Sequence, residues 1–400
     1  MSPPPAHRLP SVFILVAITA LGPLALNIFM PSMPGLAKHF NVDYGLVQLT
    51  LTFYLVGLGF AQLIYGPISD RYGRRPVLLW GMAIYCVGSI ACVLAPTITW
   101  LMLGRALQAL GGCAGLVLGR AIIRDLYDRD RSAAMIGYVT MAMSLAPMLS
   151  PALGGYLDGL FGWRASFVFC SVAGLAVYVW VILTLPETLA ERGQGEGVRA
   201  LLQGYGQLLR SPAFCGYVLQ TAFTSGVFFA FIAGAPFVVV TVMGLPASAY
   251  GLWFIVVSIG YLTGNFLTGR YAVRLGVDRM IMFGAIAQLI GILALGLSSW
   301  LGPLSLPGIF LPMAVVAMSN GLTLPNGIAG AISVNPRAAG AAAGLSGALQ
   351  MLTGAIAAVL VGYGQDHDPS QYPMLWTMSG CGILAVVSFV IAAKFRASRP

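Results

Sequence analysis

Apolar residues in this chain are gathered into long runs that short polar segments separate. Most runs reach about 20 residues, the length that an α-helix needs to cross the hydrocarbon core of a bilayer. A transmembrane β-barrel is excluded, because its strands alternate polar and apolar positions over about ten residues. The pattern therefore predicts an all-α integral membrane protein. Its 12 predicted transmembrane helices lie at 11–35, 46–67, 76–95, 98–121, 133–157, 165–185, 213–240, 248–269, 279–299, 304–328, 338–363 and 373–394.

Composition and charge agree with this class. Hydrophobic residues make up 58% of the chain and charged residues 8%, against roughly 25% charged residues in soluble domains. When the polar segments are assigned alternately to two sides, 18 of the 21 basic residues fall on one side, only Lys38 and Arg164 fall on the other, and Arg105 lies within a run. Basic loops stay in the cytoplasm, so we expect both termini to be cytoplasmic. The net charge of +9 then follows from topology and does not indicate nucleic-acid binding.

Metal and catalytic chemistry find little support in the sequence. The six cysteines lie in or beside apolar runs without the spacing of metal ligands, and the three histidines lie in loops or in the tail. A membrane enzyme would need ionisable residues clustered at one depth, and no such cluster is seen. We therefore expect a protein that is not an enzyme, with no metal, cofactor or catalytic residue.

The chain divides into two related halves. A polar linker at 187–212 separates six predicted helices in 1–186 from six in 213–400. The segment "GPISDRYGRRP" after the second run and "GRYAVRLGVDR" after the eighth share Gly, Arg and Gly at an offset of 203 residues. This repeat predicts two pseudo-symmetric six-helix bundles with a solute site between them at mid-membrane.

These motifs resemble those of the major facilitator superfamily. The first loop is similar to its Gly-x-x-x-Asp-Arg-x-Gly-Arg-Arg motif, and "GRALQALGG" and "APMLSPALGGYL" are similar to two further motifs. "NIFMPSMP" and "RAIIRDLYD" resemble the Bcr/CflA group of multidrug exporters. The resemblance implies a monomeric drug/proton antiporter of the bacterial inner membrane, with substrates of the bicyclomycin, phenicol or sulfonamide kind.

A cytoplasmic gate is expected at the first loop. Carboxylates and guanidiniums at the membrane edge form charge-assisted hydrogen bonds. The resemblance implies that Arg74 pairs with Asp125, and that Asp70 meets the start of the eleventh helix near 340–344 when the transporter faces outward. The predicted gate residues are Gly66, Asp70, Arg71, Gly73, Arg74 and Asp125.

The fifth predicted helix is expected to bend and to pack closely. Pro147 and Pro151 each remove a backbone donor, while Gly154 and Gly155 let a neighbouring helix approach. With Ser150, these residues form the antiporter-like motif, and they predict a sealing or rocking element. An ordinary kinked packing helix is the alternative.

Arg105 is the charge that most needs a function. It lies roughly 10–12 Å into its helix, where an arginine faces a cavity or a partner, or snorkels to the surface. We expect it to face the cavity with Asn27 and Gln108. Further polar and aromatic candidates for the cavity are Tyr54, Phe223, Phe228, Phe229, Tyr261, Asn320, Asn326 and Gln350.

Proton coupling is the weakest part of the resemblance. The Bcr/CflA group usually has an aspartate at the position of Asn27, and no acidic residue falls in the middle of a predicted helix. Three alternatives stay open: proton coupling through Asp70 or Asp125, a facilitator without coupling, and a metabolite transporter for a small acid or peptide. A channel is disfavoured, because the polar positions form no continuous stripe.

Overall fold

The regular structure of the protein is helical throughout the described part of the chain. The computed structural model describes residues 10–143, 145–189, 198–335 and 338–397, and no strand occurs among them. Within these residues, 12 helical spans are long and apolar enough to cross a membrane. The predicted all-α architecture with 12 transmembrane spans is therefore confirmed.

Fifteen α-helices make up the described structure. In the N-terminal half they are α1 (Val12–Ile28), α2 (Met33–Phe40), α3 (Tyr44–Tyr72), α4 (Arg74–Val93), α5 (Ile98–Leu126), α6 (Arg129–Met143), α7 (Leu145–Phe161) and α8 (Arg164–Thr184). The linker helix is α9 (Val198–Leu209). In the C-terminal half they are α10 (Pro212–Phe237), α11 (Ala247–Leu275), α12 (Val277–Leu301), α13 (Leu306–Val334), α14 (Ala339–His367) and α15 (Tyr372–Ala397).

The first predicted helix is broken where the sequence pattern runs on. α1 ends at Ile28, a 3-10 turn covers Met30–Ser32, and α2 then begins at Met33. Pro31 and Pro34 lie at this break, and neither can donate a backbone hydrogen bond to the preceding turn. The last carbonyl groups of α1 are therefore left inside the protein without helical partners.

Two groups of helices pack around their own centres. In the N-terminal half, α5 contacts α1, α3 and α4. In the C-terminal half, α10 contacts α13, α14 and α15, while α13 contacts α11 and α12. The halves meet mainly through α3 against α14 and α7 against α11. The linker helix α9 contacts α10 and α14, and residues 190–197 of the predicted linker lie outside the described residues.

Glycine allows the closest helix contacts. Gly88 of α4 lies against the backbone of Gln108, and Gly111 of α5 lies against the backbone of Tyr85. A Cβ atom at either position would collide with the neighbouring helix. α4 and α5 therefore form a rigid pair that fixes the position of the side chains on α5.

The internal repeat is visible in the helices themselves. α3 and α11 each have 29 residues, and their first and last residues are related by the offset of 203. Gly73 and Gly276 follow them with positive φ angles of 101° and 82°, a conformation that favours glycine. We call the end of the molecule at which these turns lie the arginine-rich end, and the other end the opposite end.

Candidate functional site

A cavity of about 270 Å³ lies between the two halves of the molecule. Its walls come from α1, α3, α5 and α7 on one side and from α10, α11, α13 and α14 on the other. No charged side chain lines it in the described part of the chain. The polar residues in its walls are Asn27, Gln62, Ser225, Ser258, Tyr261, Asn320 and Gln350.

The cavity walls follow the internal repeat. The lining pairs related by 203 residues are Gly22 and Ser225, Leu26 and Phe229, Leu58 and Tyr261, Pro147 and Gln350, and Met148 and Met351. α5 and α13 have equal lengths but are offset by 208 residues, and this offset pairs Gly112 with Asn320 and Leu116 with Leu324. The cavity therefore lies on the pseudo-symmetry axis, where a duplicated transporter fold has its solute site.

Arg105 lies outside this lining, in a closed cage within the N-terminal half. It has no exposed surface, and its Nη1 donates to the carbonyl oxygen of Ala25 at 2.9 Å and to Gln108 Oε1 at 2.6 Å. The guanidinium carbon lies 4.0 Å from the ring centroid of Tyr54 and 4.1 Å from that of Phe29. Ala25 belongs to the last turn of α1, so Arg105 caps the negative end of that helix.

Gln108 and Tyr54 belong to the same cage. Gln108 Nε2 donates to Ser89 Oγ at 2.9 Å, and the Tyr54 hydroxyl donates to the carbonyl oxygen of Gly22 at 2.8 Å. Both side chains are fully buried. The structure thus places three of the expected cavity residues behind the cavity wall, where they fix α1 against α3, α4 and α5.

Asn27 lines the cavity, and no hydrogen bond joins it to Arg105 in the described structure. Its Nδ2 donates to the carbonyl oxygen of Pro23 at 2.8 Å, and its Oδ1 has no hydrogen-bond partner among the described residues. Arg105 lies seven residues before Gly112, so both belong to the same face of α5. At Arg105 the end of α1 covers this face and separates the side chain from the cavity. Pro31 and Pro34 were the sequence signal that could have predicted this break. A helix that ends inside a protein needs donors for its last carbonyls, and Arg105 is such a donor.

The remaining candidates are divided. Phe228, Phe229, Tyr261, Asn320 and Gln350 line the cavity. Asn326 instead donates to the carbonyl oxygen of Leu322 at 2.7 Å and to Thr268 Oγ1 at 3.3 Å, both within its own half. Sequence periodicity did not separate these groups, because helices this apolar show no clear polar face.

A second cavity of about 500 Å³ opens at the arginine-rich end. Arg74 Nε lies 2.9 Å from Asp125 Oδ2, and Arg74 Nη1 forms a second ion pair with Asp70. Gly340 and Gly344 of α14 line the cavity together with these residues. Asp70 is thus paired within its own half in this conformation and shares the cavity with the start of α14.

The other predicted gate residues have separate surroundings. Gly66 lines the second cavity, and Gly73 forms the turn between α3 and α4. Arg71 is exposed, with its guanidinium carbon 5.4 Å from the ring centroid of Tyr72. Gln62 and Leu116 line both cavities, so the central cavity leads towards the arginine-rich end.

The two halves are joined at the opposite end. The Gly45 amide donates to Asp366 Oδ1 at 2.9 Å and to Oδ2 at 3.1 Å. The Tyr44 hydroxyl donates to the carbonyl oxygen of Ala233 at 3.0 Å, and Gln48 Nε2 donates to the same oxygen. We call these five residues the outer seal, because they join the two halves by hydrogen bonds at the opposite end.

The proline- and glycine-containing motif of α7 joins the cavity to this closed end. Pro147 lines the cavity, while Ser150 and Pro151 are buried. Gly154 packs against the carbonyl of Ile28 at the end of α1, and Gly155 packs against Ala247 and Ser248 at the start of α11. α7 is therefore in direct contact with both the break after α1 and the other half of the molecule.

The fold and the site agree with a family relationship. The family model described as Major Facilitator Superfamily matches residues 15–358. The chain belongs to the major facilitator superfamily. This major facilitator protein is 30% identical to Multidrug resistance protein D of Escherichia coli over 92% of each chain. It is 28% identical to a Bicyclomycin resistance protein homolog of Haemophilus influenzae, with 94% of this chain and 95% of that protein covered.

Solved structures show the same fold. The chain superposes with a TM-score of 0.73 on a bacterial homologue of the human lysosomal transporter Spinster in an inward-facing, unoccupied conformation, at 18% identity and over 97% and 98% of the two chains. The protein is thus a multi-pass membrane transporter of the Bcr/CflA-like type, and its relatives place it in the bacterial inner membrane.

Proposed function

We propose that this transporter exports uncharged or singly cationic amphipathic drugs by alternating access. The observation that carries the proposal is the central cavity, whose described lining combines neutral polar groups with aromatic rings and has no charged side chain. Phe228, Phe229, Phe254 and Tyr261 can bind aromatic groups, or a single positive charge through cation–π contacts. The names of the multidrug and bicyclomycin resistance relatives support the same substrate class.

A transporter of small acids is the weaker candidate. An anion in the cavity would need a cationic partner, and the side chain expected to supply it is Arg105. In this conformation Arg105 is fully buried behind the wall, with its guanidinium between Tyr54 and Phe29. The neutral walls would leave a carboxylate substrate without charge compensation.

The orientation follows from the basic loops. We place the arginine-rich end and both termini in the cytoplasm. The conformation is then open to the cytoplasm through the second cavity and closed to the outside at the outer seal. We further propose that the chain works as a monomer of two six-helix bundles, 1–186 and 213–400, joined by the linker at 187–212. No chemical change of the substrate is part of the proposed cycle.

We propose coupling to protons through carboxylates at the arginine-rich end. The central cavity has no carboxylate in the described lining, whereas Asp70 and Asp125 line the second cavity beside Arg74. The Asp70 side chain is 39% exposed and Asp125 18% exposed, so Asp70 is more accessible to water in this state. An uncoupled facilitator is the alternative.

Purified protein in liposomes that contain a pH-sensitive dye tests both the drug class and the coupling. With no gradient imposed, adding a phenicol outside should raise the internal pH, because each drug that enters drives a proton out. Vesicles without protein are the control, and radiolabelled drug measures transport directly. Drug entry without a pH change would leave facilitated diffusion, and no drug entry would refute the proposed substrate class.

A further inference from the structure

The two walls of the central cavity are related by the repeat but differ in polarity. In four of the symmetry pairs, the residue from the N-terminal half is Gly, Pro or Leu and its counterpart is polar. These pairs are Gly22 and Ser225, Leu58 and Tyr261, Gly112 and Asn320, and Pro147 and Gln350. The duplicated fold therefore has its hydrogen-bonding groups mainly on the C-terminal wall.

Several polar groups on that wall are free to bind a ligand. Asn320 is 3% exposed and has no hydrogen-bond partner in the described chain, and its Oδ1 is fully buried. Gln350 Oε1 accepts from Ser225 Oγ at 3.1 Å, which leaves the Nε2 hydrogens available. A buried polar atom without a partner costs free energy, and rotation of the Asn320 amide towards the cavity would let a ligand supply the missing partner.

The N-terminal wall offers less. The Nδ2 of Asn27 is held by the carbonyl of Pro23, so only its Oδ1 is unpaired, and Arg105 and Gln108 lie behind the wall. Gln62 lies nearer the arginine-rich end, where the central cavity meets the second cavity. Gly112, which the repeat pairs with Asn320 in the lining, has no side chain to hydrogen bond.

We propose that the C-terminal half determines substrate specificity, with Asn320 and Gln350 hydrogen bonding to an uncharged polar arm of the drug. The N-terminal wall receives the apolar body of the same molecule. The ligand class is an uncharged molecule that has hydroxyl or amide groups at one end and an apolar group at the other. This inference rests on the proposed drug export.

The test compares two phenicols that differ in one group. Thiamphenicol has a primary hydroxyl, which can accept from Gln350 Nε2 or donate to Asn320 Oδ1, where florfenicol has fluorine, which cannot donate a hydrogen bond and is a poor acceptor. Exchange of each drug is measured in liposomes at equal internal and external concentration and pH, so that no coupling ion is needed. The variants are Asn320→Leu and the nearly isosteric Gln350→Met on the C-terminal wall, and Asn27→Leu on the N-terminal wall.

The C-terminal variants should raise the half-saturating concentration of thiamphenicol by about five- to tenfold, the effect of one lost hydrogen bond. Their preference for thiamphenicol over florfenicol should fall towards one, whereas Asn27→Leu should change both drugs by the same factor. Florfenicol exchange shows that each variant is folded. Thr263→Val is the matched control, since Thr263 is exposed and donates only to Ile259 of its own helix.

The possible results distinguish specificity of the C-terminal half from drug export itself. Wild-type exchange of both drugs with an unchanged preference in Asn320→Leu and Gln350→Met overturns the inference alone. Loss of the preference in Asn27→Leu only would assign specificity to the N-terminal half. If the wild type exchanges neither drug, the proposed substrate class fails and the inference fails with it.

Discussion

At the scale of single residues, the arginine within the membrane is explained by what surrounds it. Arg105 donates to the last turn of α1 and to Gln108, and its guanidinium stacks between Tyr54 and Phe29. A cation at the C-terminal end of a helix is stabilised by the helix dipole, and each aromatic face adds a favourable contact in a dry environment. These interactions offset part of the cost of several kcal/mol of an arginine at membrane depth, because Nε and Nη2 of Arg105 have no hydrogen-bond partner among the described residues.

Arg105→Ala should abolish drug exchange while the protein still folds. The substitution leaves the Ala25 carbonyl unpaired and opens a void between two aromatic rings, so we expect the free energy of unfolding to fall by about 2–4 kcal/mol. Transport is lost because the end of α1, which carries Asn27 into the cavity wall, is no longer held in place. Thermal unfolding in detergent and exchange in liposomes measure the two effects.

Arg164→Ala is the control for that variant. Arg164 is exposed; its Nε donates to the carbonyl oxygen of Val93 at 3.2 Å, and its guanidinium carbon lies 4.3 Å from the ring centroid of Trp163. An exposed cation–π contact contributes about 0.5–1 kcal/mol, so transport should persist. Wild-type exchange rates in Arg105→Ala would show that the cage has no part in transport.

At the scale of helices, the sequence predicted the elements well and their ends and surroundings less well. Runs of apolar residues locate all 12 spans, because a bilayer demands both length and apolarity. The offset of 203 also recurs in pairs of residues that line the cavity. The break after Ile28 was not predicted. Because of this break, Arg105 caps the end of α1 and does not line the cavity as expected. The position of Arg105 depends on which backbone carbonyl its side chain can reach, and helix periodicity does not predict such contacts between helices.

The outer seal is the helix-scale feature with the clearest test. Asp366, near the end of α14, accepts from the Gly45 amide in the first turn of α3. A carboxylate at a helix N-terminus satisfies a free donor and interacts with the positive end of the dipole. Asp366→Ala should therefore weaken the seal by about 1–2 kcal/mol.

Hydrogen exchange of the first amides of α3 measures this weakening. We expect protection at Gly45 and its neighbours to fall by about five- to thirtyfold, the equivalent of 1–2 kcal/mol. Asp368→Ala is the matched control, because Asp368 is exposed and is not a member of the outer seal. Equal protection in Asp366→Ala and the wild type would mean that the remaining contacts hold the seal without it.

At the scale of the whole molecule, the two ends are in opposite states. The halves are hydrogen bonded at the outer seal, whereas the arginine-rich end has a cavity between α3 and α14. Asp70 is paired with Arg74 and shares this cavity with the start of α14. Closing the cavity would bring the carboxylate to the positive end of that helix, at the expense of the outer seal. We propose that alternating access in this protein exchanges one carboxylate–helix contact for another.

Cysteine labelling tests this exchange and the orientation together. Ala343 lines the second cavity on α14, so Ala343→Cys should react with a membrane-impermeant maleimide in inside-out vesicles and not in intact cells. Adding Asp70→Asn should raise the labelling rate by up to about fivefold, because the closed state loses its carboxylate at α14, an interaction of about 1 kcal/mol. The open state loses the ion pair of Asp70 with Arg74, but this pair is partly exposed and offsets only part of the change. Arg270→Gln, an exposed change at the same end, is the control, and the unsubstituted protein gives the background of its native cysteines.

Labelling from outside the cell would reverse the proposed orientation. An unchanged rate in Asp70→Asn would separate Asp70 from closure of the cavity, because that closure is the only step in which the carboxylate would meet α14.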